Sequence, residues 1–192
     1  MSKFQIPRGK PPLPRCYWVV ETILLAGSYV GRPEPKPHNE RVSGLFDAGI
    51  RTFINLMEEN ELNPQGIPFN PYQDDLREMA KRFNEQVECL RFPIKDREAT
   101  NYERMNEILD AIDHSLAIAR PVYVHCYGGI GRTGTVVSCW LLRHGYATNQ
   151  NVFEILRELR QADEERAWRD APENEKQKSF VLQWGAVHGC KS

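Results

Sequence analysis

His125-Cys-Tyr-Gly-Gly-Ile-Gly-Arg-Thr-Gly-Thr135 decides the reading of this 192-residue chain. One cysteine, Cys126, precedes one arginine, Arg132, by 132 − 126 = 6 positions, with Gly128, Gly129 and Gly131 between them and Gly134 just beyond. The run Pro121-Val-Tyr-Val124 ahead of it is apolar and β-branched, and the residues behind it carry apolar side chains at helical spacing. A strand feeding a glycine-rich loop that opens a helix is an anion cradle. Its backbone N–H groups converge on one point, and the helix N-terminus adds partial positive charge behind them. A cysteine at the base of that cradle makes a bound phosphate a target for attack.

The residue types suit that chemistry. Breaking a phosphate monoester needs a nucleophile, charge compensation and a proton for the leaving oxygen. Cysteine attacks as thiolate, which converging amides favour. Glycines allow left-handed backbone and keep Cβ atoms out of the anion's way. The planar fork of Arg132 can hold two phosphate oxygens as charge builds in the transition state. Thr133 is placed to donate its hydroxyl to the Cys126 sulfur and help the thiolate leave. His125, last in its strand, points away from Cys126 by strand alternation and reads as support for the loop through its backbone, not as a base. Cys89 and Cys139 read as buried, inert thiols.

The segment resembles the phosphate-binding loop of the protein tyrosine phosphatase superfamily, the Cys-x5-Arg enzymes. Leu24-Leu-Ala-Gly-Ser-Tyr-Val-Gly31 is also similar to small dual-specificity-type members, and Cys126 to Arg132 is especially similar to the loop of cyclin-dependent-kinase-associated phosphatases. The resemblance implies a phospho-cysteine intermediate and substrate phosphate held by Tyr127, Gly128, Gly129, Ile130, Gly131 and Arg132. It also implies an aspartic general acid on a loop roughly thirty residues upstream. Asp96 follows the strand-like Cys89-Leu-Arg-Phe-Pro-Ile94 and lies 126 − 96 = 30 residues before the cysteine. Glu98, two residues on, competes for the role, and Asp96 can also be read as an ordinary solvated loop charge. Ala171-Pro-Glu-Asn-Glu-Lys-Gln-Lys-Ser-Phe-Val181 resembles a Pro-Glu-Thr-x-x-Gln-x-x-Phe-Val stretch whose glutamine orients the hydrolytic water. Gln177 is the candidate for that water-positioning role, or else a plain first-turn helical residue.

Lipid-phosphate members of the superfamily tend to carry lysines inside the loop. Here the interior positions are Tyr127 and Ile130, so the expected substrate is a singly phosphorylated protein side chain, phosphotyrosine with phosphoserine or phosphothreonine as further options. Phosphoinositide or inositol phosphate hydrolysis, and a phospho-binding module without turnover, are the alternatives. The latter has no need of both a thiolate and an acid. No metal or organic cofactor is implied, because loop amides and an arginine supply the charge compensation.

The rest of the chain is read around this core. Apolar content of 41% and charged content of 27% are those of an ordinary globular protein. A net charge of −1 gives no field toward nucleic acid or a membrane surface. No long apolar run or signal segment is visible, so no membrane insertion is expected. Five scattered cysteines, without a Cys-x2-Cys pair, point to free thiols and a cytoplasmic setting. Residues 1–15 read as a flexible Pro-rich arm and residues 16–192 as one phosphatase catalytic domain. Strand and helix patterns alternate, which predicts an α/β fold with a central, mostly parallel sheet and helices on both faces. The ligand site then belongs beyond the carboxyl ends of the strands. The charged run from Asp163 to Lys178 reads as a solvated loop.

Overall fold

The computed structural model describes residues 4–190. Five strands form one sheet in the order β1-β2-β5-β3-β4: β1 (Cys16–Val20), β2 (Leu24–Ser28), β3 (Thr52–Asn55), β4 (Glu88–Arg91) and β5 (Val122–Cys126). Only the β1–β2 pair is antiparallel; β2, β5, β3 and β4 run parallel. The helices are α1 (Pro35–Asp47), α2 (Gln73–Arg82), α3 (Tyr102–Ala117), α4 (Gly131–Arg143), α5 (Val152–Leu159) and α6 (Glu175–His188). This is the α/β architecture that the alternating pattern predicts.

Local sequence explains the elements. In α3, Met105, Ile108, Leu109 and Ile112 recur at helical spacing and are buried, each contributing about 1.5–3 kcal/mol. Asn101 caps that helix, its side-chain oxygen accepting from the N–H of Arg104 at 2.7 Å. Asn174 does the same for α6, accepting from the N–H of Gln177 at 3.0 Å. Helix α4 is buried from Gly131 to Leu142, with α3, α5 and α6 packed around it. On the other face of the sheet, Tyr123 and His125 of β5 turn toward Tyr72 at the head of α2.

The register aligns the carboxyl ends that matter. Cys126 pairs with Ser28, and His125 pairs with Gly27 on one side and Asn55 on the other. Beyond the end of β4, Phe92 and Ile94 still donate to the carbonyls of Asn55 and Leu56, at 2.9 and 3.0 Å. The extended path therefore runs on to Ile94 and delivers Asp96 to the edge where Cys126 emerges.

Two segments differ in character from a free coil. Residues 4–15 form no helix or strand, yet Phe4, Ile6 and Leu13 pack against the core; residues 1–3 of the expected arm lie outside the described residues. The charged run after α5 is not simply solvated, which corrects that reading. Asp163 is 2% exposed, and its neighbour Arg160, 1% exposed, donates to the carbonyls of Arg166 and Arg169. The guanidinium replaces the hydrogen bonds that this non-repetitive backbone gives up to water.

Candidate active site

Cys126 closes β5 and is 3% exposed, at the foot of the loop that leads into α4. The N–H of Gly129 donates to its Sγ at 3.3 Å. Gly129 has φ +74, and a Cβ there would stand 2.5 Å from the carbonyl carbon of Gly27, so both conformation and space demand glycine. The expectation of left-handed backbone holds in the loop only at this position, since Gly128, Gly131 and Gly134 do not have positive φ. At Gly131 a Cβ would meet the ends of the Glu173 and Gln177 side chains, which would have to shift to admit it.

Arg132 lies in the first turn of α4 and is almost fully buried. Its guanidinium is gripped from three directions. Nη1 and Nη2 donate to the two oxygens of Glu61 at 2.6 and 2.8 Å, Nη1 also donates to the Ile94 carbonyl at 3.0 Å, and Nη2 stands 2.9 Å from Asp96 Oδ1. Burial disfavours the charge, but the Glu61 hydrogen bonds and the negative groups around it outweigh that and hold the guanidinium above its ordinary value. The Glu61 contact spans the Nη1–Nη2 edge, which leaves Nε and, once Asp96 moves, the outer side of Nη2 for an anion.

Asp96, with its side chain 54% exposed, therefore reaches the same point as Cys126 and Arg132 from a separate strand end. Glu98 is directed elsewhere. Its carboxylate pairs with Lys176, and that hydrogen bond draws its pKa below the usual carboxylate value. Gln177 is fully buried behind Gly131, with Nε2 donating to the Glu98 carbonyl at 3.2 Å and Oε1 accepting from the N–H of Glu173 at 3.2 Å. Thr133 is buried too, but its hydroxyl has no hydrogen-bond partner among the described residues, so the contact to Cys126 Sγ is not made.

His125, the residue before Cys126, is held through its side chain as well as its backbone. Its carbonyl accepts from the N–H of Leu56 at 2.9 Å, and Nε2 lies 2.6 Å from the Tyr72 hydroxyl. Burial pushes the imidazole down to about 3 and the Tyr72 phenol well above its ordinary range. The ring is neutral and accepts the phenolic hydrogen. Tyr127, half-buried, accepts at its carbonyl from the N–H of Tyr29 at 3.1 Å and packs its ring on Phe69, while Ile130 is buried under the start of α4. Among the other cysteines, burial pushes the Cys16 thiol up to about 12, Cys89 to about 11 and Cys139 well above its ordinary value, so none of these three is a nucleophile near neutrality.

Glu61 is the site residue that sequence reasoning missed. It lies in the acidic loop after β3, 71 positions from Arg132, and a run of glutamates marks no single one of them.

A cysteine at the end of β5, an arginine in the helix turn that follows and a carboxylate beyond the end of β4, two strands away, have the layout of a Cys-x5-Arg phosphatase site. Residues 13–181 match the family described as "Swiss Army Knife protein, DSP-PTPase phosphatase domain", and the chain belongs to that family, as a small dual-specificity-type member of the protein tyrosine phosphatase superfamily. An uncharacterised protein of Methanocaldococcus jannaschii is 33% identical over 99 residues, 52% of this chain and 60% of that one. The chain thus matches rather less than two thirds of this relative's length. The phosphatidylglycerophosphate phosphatase PTPMT1 of Arabidopsis thaliana is 29% identical over 62 residues, 32% of this chain and 18% of that one. Among solved structures, kinase-associated phosphatase with its catalytic-site cysteine replaced by serine superposes with a TM-score of 0.67 at 19% identity, covering 91% of this chain and 96% of that one. No helix among the described residues is long and apolar enough to cross a membrane.

Proposed function

We propose that this chain hydrolyses phosphate monoesters on protein side chains through a phospho-cysteine intermediate. The observation that carries the reading is the convergence of Cys126, Arg132 and Asp96, brought together from β5, α4 and the β4 edge. In the first step the Cys126 thiolate attacks phosphorus, the P–O bond to the leaving group breaks, and Asp96 gives its proton to the departing oxygen. Substrate oxygens take the Nε and outer Nη2 positions of Arg132, displacing Asp96 from the guanidinium toward the leaving group. In the second step water attacks the phospho-cysteine and gives its proton to Asp96. The S–P bond then breaks to release phosphate and regenerate the thiolate. Gln177, held against Gly131, orients that water. Glu61 keeps the guanidinium turned toward the loop throughout.

The uncharged Tyr127 and Ile130 support a protein substrate, as do the aromatic rings of Tyr29, Phe69 and Tyr127 beside the loop. The free cysteines support a cytoplasmic setting. The sequence likeness to a phosphatidylglycerophosphate phosphatase favours a second reading, in which the ester is a lipid headgroup phosphate. Phosphate release from matched phosphotyrosine, phosphothreonine and inositol phosphate substrates, with Cys126→Ser as the blank, separates the two. Turnover on peptides that disappears in the mutant supports the proposal. Turnover confined to inositol phosphates moves the chain to the lipid-type reading, and release from none of them refutes hydrolysis.

A further inference from the structure

The loop between β3 and α2 holds two large apolar side chains in water on a firm frame. Leu62 and Ile67 are 51% and 57% exposed. The backbone between them is not slack. Leu62 pairs with Pro68 as an antiparallel bridge, and the N–H of Asn63 donates to the Ile67 carbonyl at 2.9 Å. Asn63 Oδ1 accepts in turn from the N–H groups of Gln65 and Ile67, both at 2.9 Å, which closes the turn from inside. A lone exposed apolar residue is ordinary, but a pair presented on one hydrogen-bonded turn beside the active-site loop is more than folding requires.

Ile67 borders a cavity of about 590 Å³ that reaches Tyr127 of the phosphate loop. Its size falls within the roughly 300–1,000 Å³ typical of small-ligand sites. Most of the wall is apolar, formed by the rings of Tyr29, Phe69 and Tyr127 with Pro33 and Pro68. Phe69 packs against both tyrosines, its ring centroid 5.0 Å from that of Tyr29 and 5.1 Å from that of Tyr127, so the wall is continuous with the loop. Another part of the wall is tied down by hydrogen bonds. Asn70 Nδ2 donates to the Arg32 carbonyl at 2.8 Å, and the Arg32 N–H donates to His38 Nδ1 at 3.1 Å. The cavity is therefore preformed, which lowers the cost of filling it. The two cations at its edge are attended by the protein itself. Arg32 Nη1 donates to the carbonyls of Tyr29 and Gly31, and Arg15 lies 3.9 Å from Glu165, with the Asp163 carboxylate also acting on it. The apolar walls, not charge, set what the cavity admits.

We infer that this cavity receives a large apolar side chain, aromatic or branched aliphatic, of the phosphorylated protein segment, from a residue close in sequence to the one whose phosphate lies over Cys126. The inference rests on the protein-phosphatase reading above and adds a sequence preference to it. Tyr127 belongs to both the phosphate loop and the cavity, and an extended peptide advances only about 3.3 Å per residue, so near neighbours of the phosphorylated residue pass over the opening. Two features match a peptide better than a lipid surface. Ile67 borders a recess that suits an inserted side chain, whereas insertion into a bilayer needs an apolar face that lies against the lipid. Asn70 also lines the cavity, and its Oδ1 has no partner among the described residues, so a peptide N–H can donate to it.

A panel of phosphotyrosine peptides tests this, with phenylalanine, leucine, alanine or lysine placed in turn at each position flanking the phosphotyrosine. At one flanking position phenylalanine or leucine should be preferred over alanine by roughly 10-fold in kcat/KM, mainly through KM, as burial of such a side chain allows. Ile67→Ser should remove most of that preference, while para-nitrophenyl phosphate, which has no flanking residue, is hydrolysed within about twofold of the wild-type rate. Absence of an apolar preference at every position, or a preference that survives Ile67→Ser, overturns the inference. So does a panel without preference combined with loss of binding to phosphatidylglycerol vesicles in Ile67→Ser, which assigns the patch to a lipid surface. If no peptide is turned over, it is the protein-phosphatase reading that fails. Fluorescence anisotropy of the same peptides, labelled, on Cys126→Ser with and without Ile67→Ser then reads the cavity on its own, and equal affinities for the phenylalanine and alanine peptides would refute it.

Discussion

Replacing Glu61 by glutamine removes the only carboxylate among the described residues that is both close to Arg132 and withdrawn from water. The two side chains are 1% and 11% exposed and share two hydrogen bonds of 2.6 and 2.8 Å, whereas the other neighbour, Asp96, is half in solvent. Breaking a buried pair by removing one partner costs about 3–5 kcal/mol, because the remaining charge is left uncompensated. The Ile94 carbonyl still accepts from Nη1, and Asp96 can tighten its contact. The loss should therefore fall at the lower end, about 3 kcal/mol, a large share of the roughly 5–15 kcal/mol available to a domain. Urea unfolding would show it as a lower midpoint with an unchanged slope. Turnover should fall as well, by roughly 10- to 100-fold in kcat/KM, since a misplaced fork no longer meets the phosphate oxygens. Saturating orthophosphate should then stabilise Glu61→Gln less than wild type, because a misplaced fork binds the anion more weakly. A variant with the wild-type midpoint and wild-type turnover would falsify the claim that this pair holds the arginine.

Further outcomes follow from the same geometry. Asp96→Asn should lower kcat by about 10²–10⁴ on substrates with poor leaving groups, whereas Glu98→Gln should stay near wild type because its carboxylate is tied to Lys176; a reversal of that order in steady-state assays would move the acid to Glu98. Gly129→Ala must strain a left-handed residue and press on the Gly27 backbone, so turnover should collapse while circular dichroism stays folded, and an active variant would show that the loop is not held as described. His125 titrates near 6.5 when unfolded but about 3 when buried, so the unfolded chain binds the extra proton between those values. Its stabilisation is complete above pH 6.5 and is lost as the pH falls through that window, about 2 kcal/mol by pH 5. Urea midpoints at pH 7 and 5 should differ accordingly in wild type and less in His125→Gln, and equal shifts in the two would place the pH dependence elsewhere.

Contiguous features are legible in the amino-acid sequence alone. The loop from Cys126 to Arg132 is a local object: strand, cradle and helix start follow one another in the chain, and each residue type is demanded by its immediate neighbours. Asp96 stands out in the sequence only through the family resemblance, which implies an aspartate roughly thirty residues before the cysteine and leaves Glu98 as a competitor. The mostly parallel sheet follows from alternating periodicities, and the helices α3 and α4 from their apolar spacing. What only the tertiary structure decides are pairings between segments with no common pattern. Glu61 meets Arg132 across 71 positions because β3 and β5 end side by side, and nothing in an acidic loop marks which glutamate turns inward. Thr133 is a neighbour of Arg132 in sequence, yet its hydroxyl finds no partner, since direction within a helix turn depends on what packs around it. The run after Asp163 reads as solvated because its residues are charged. Folded, Arg160 and Asp163 are buried and Arg166 stands at the edge of the loop, because backbone carbonyls left without a ladder attract guanidinium groups. Local sequence specifies elements and short loops through sterics and periodicity; which charges face one another depends on the packing of those elements, and that is a property of the whole fold.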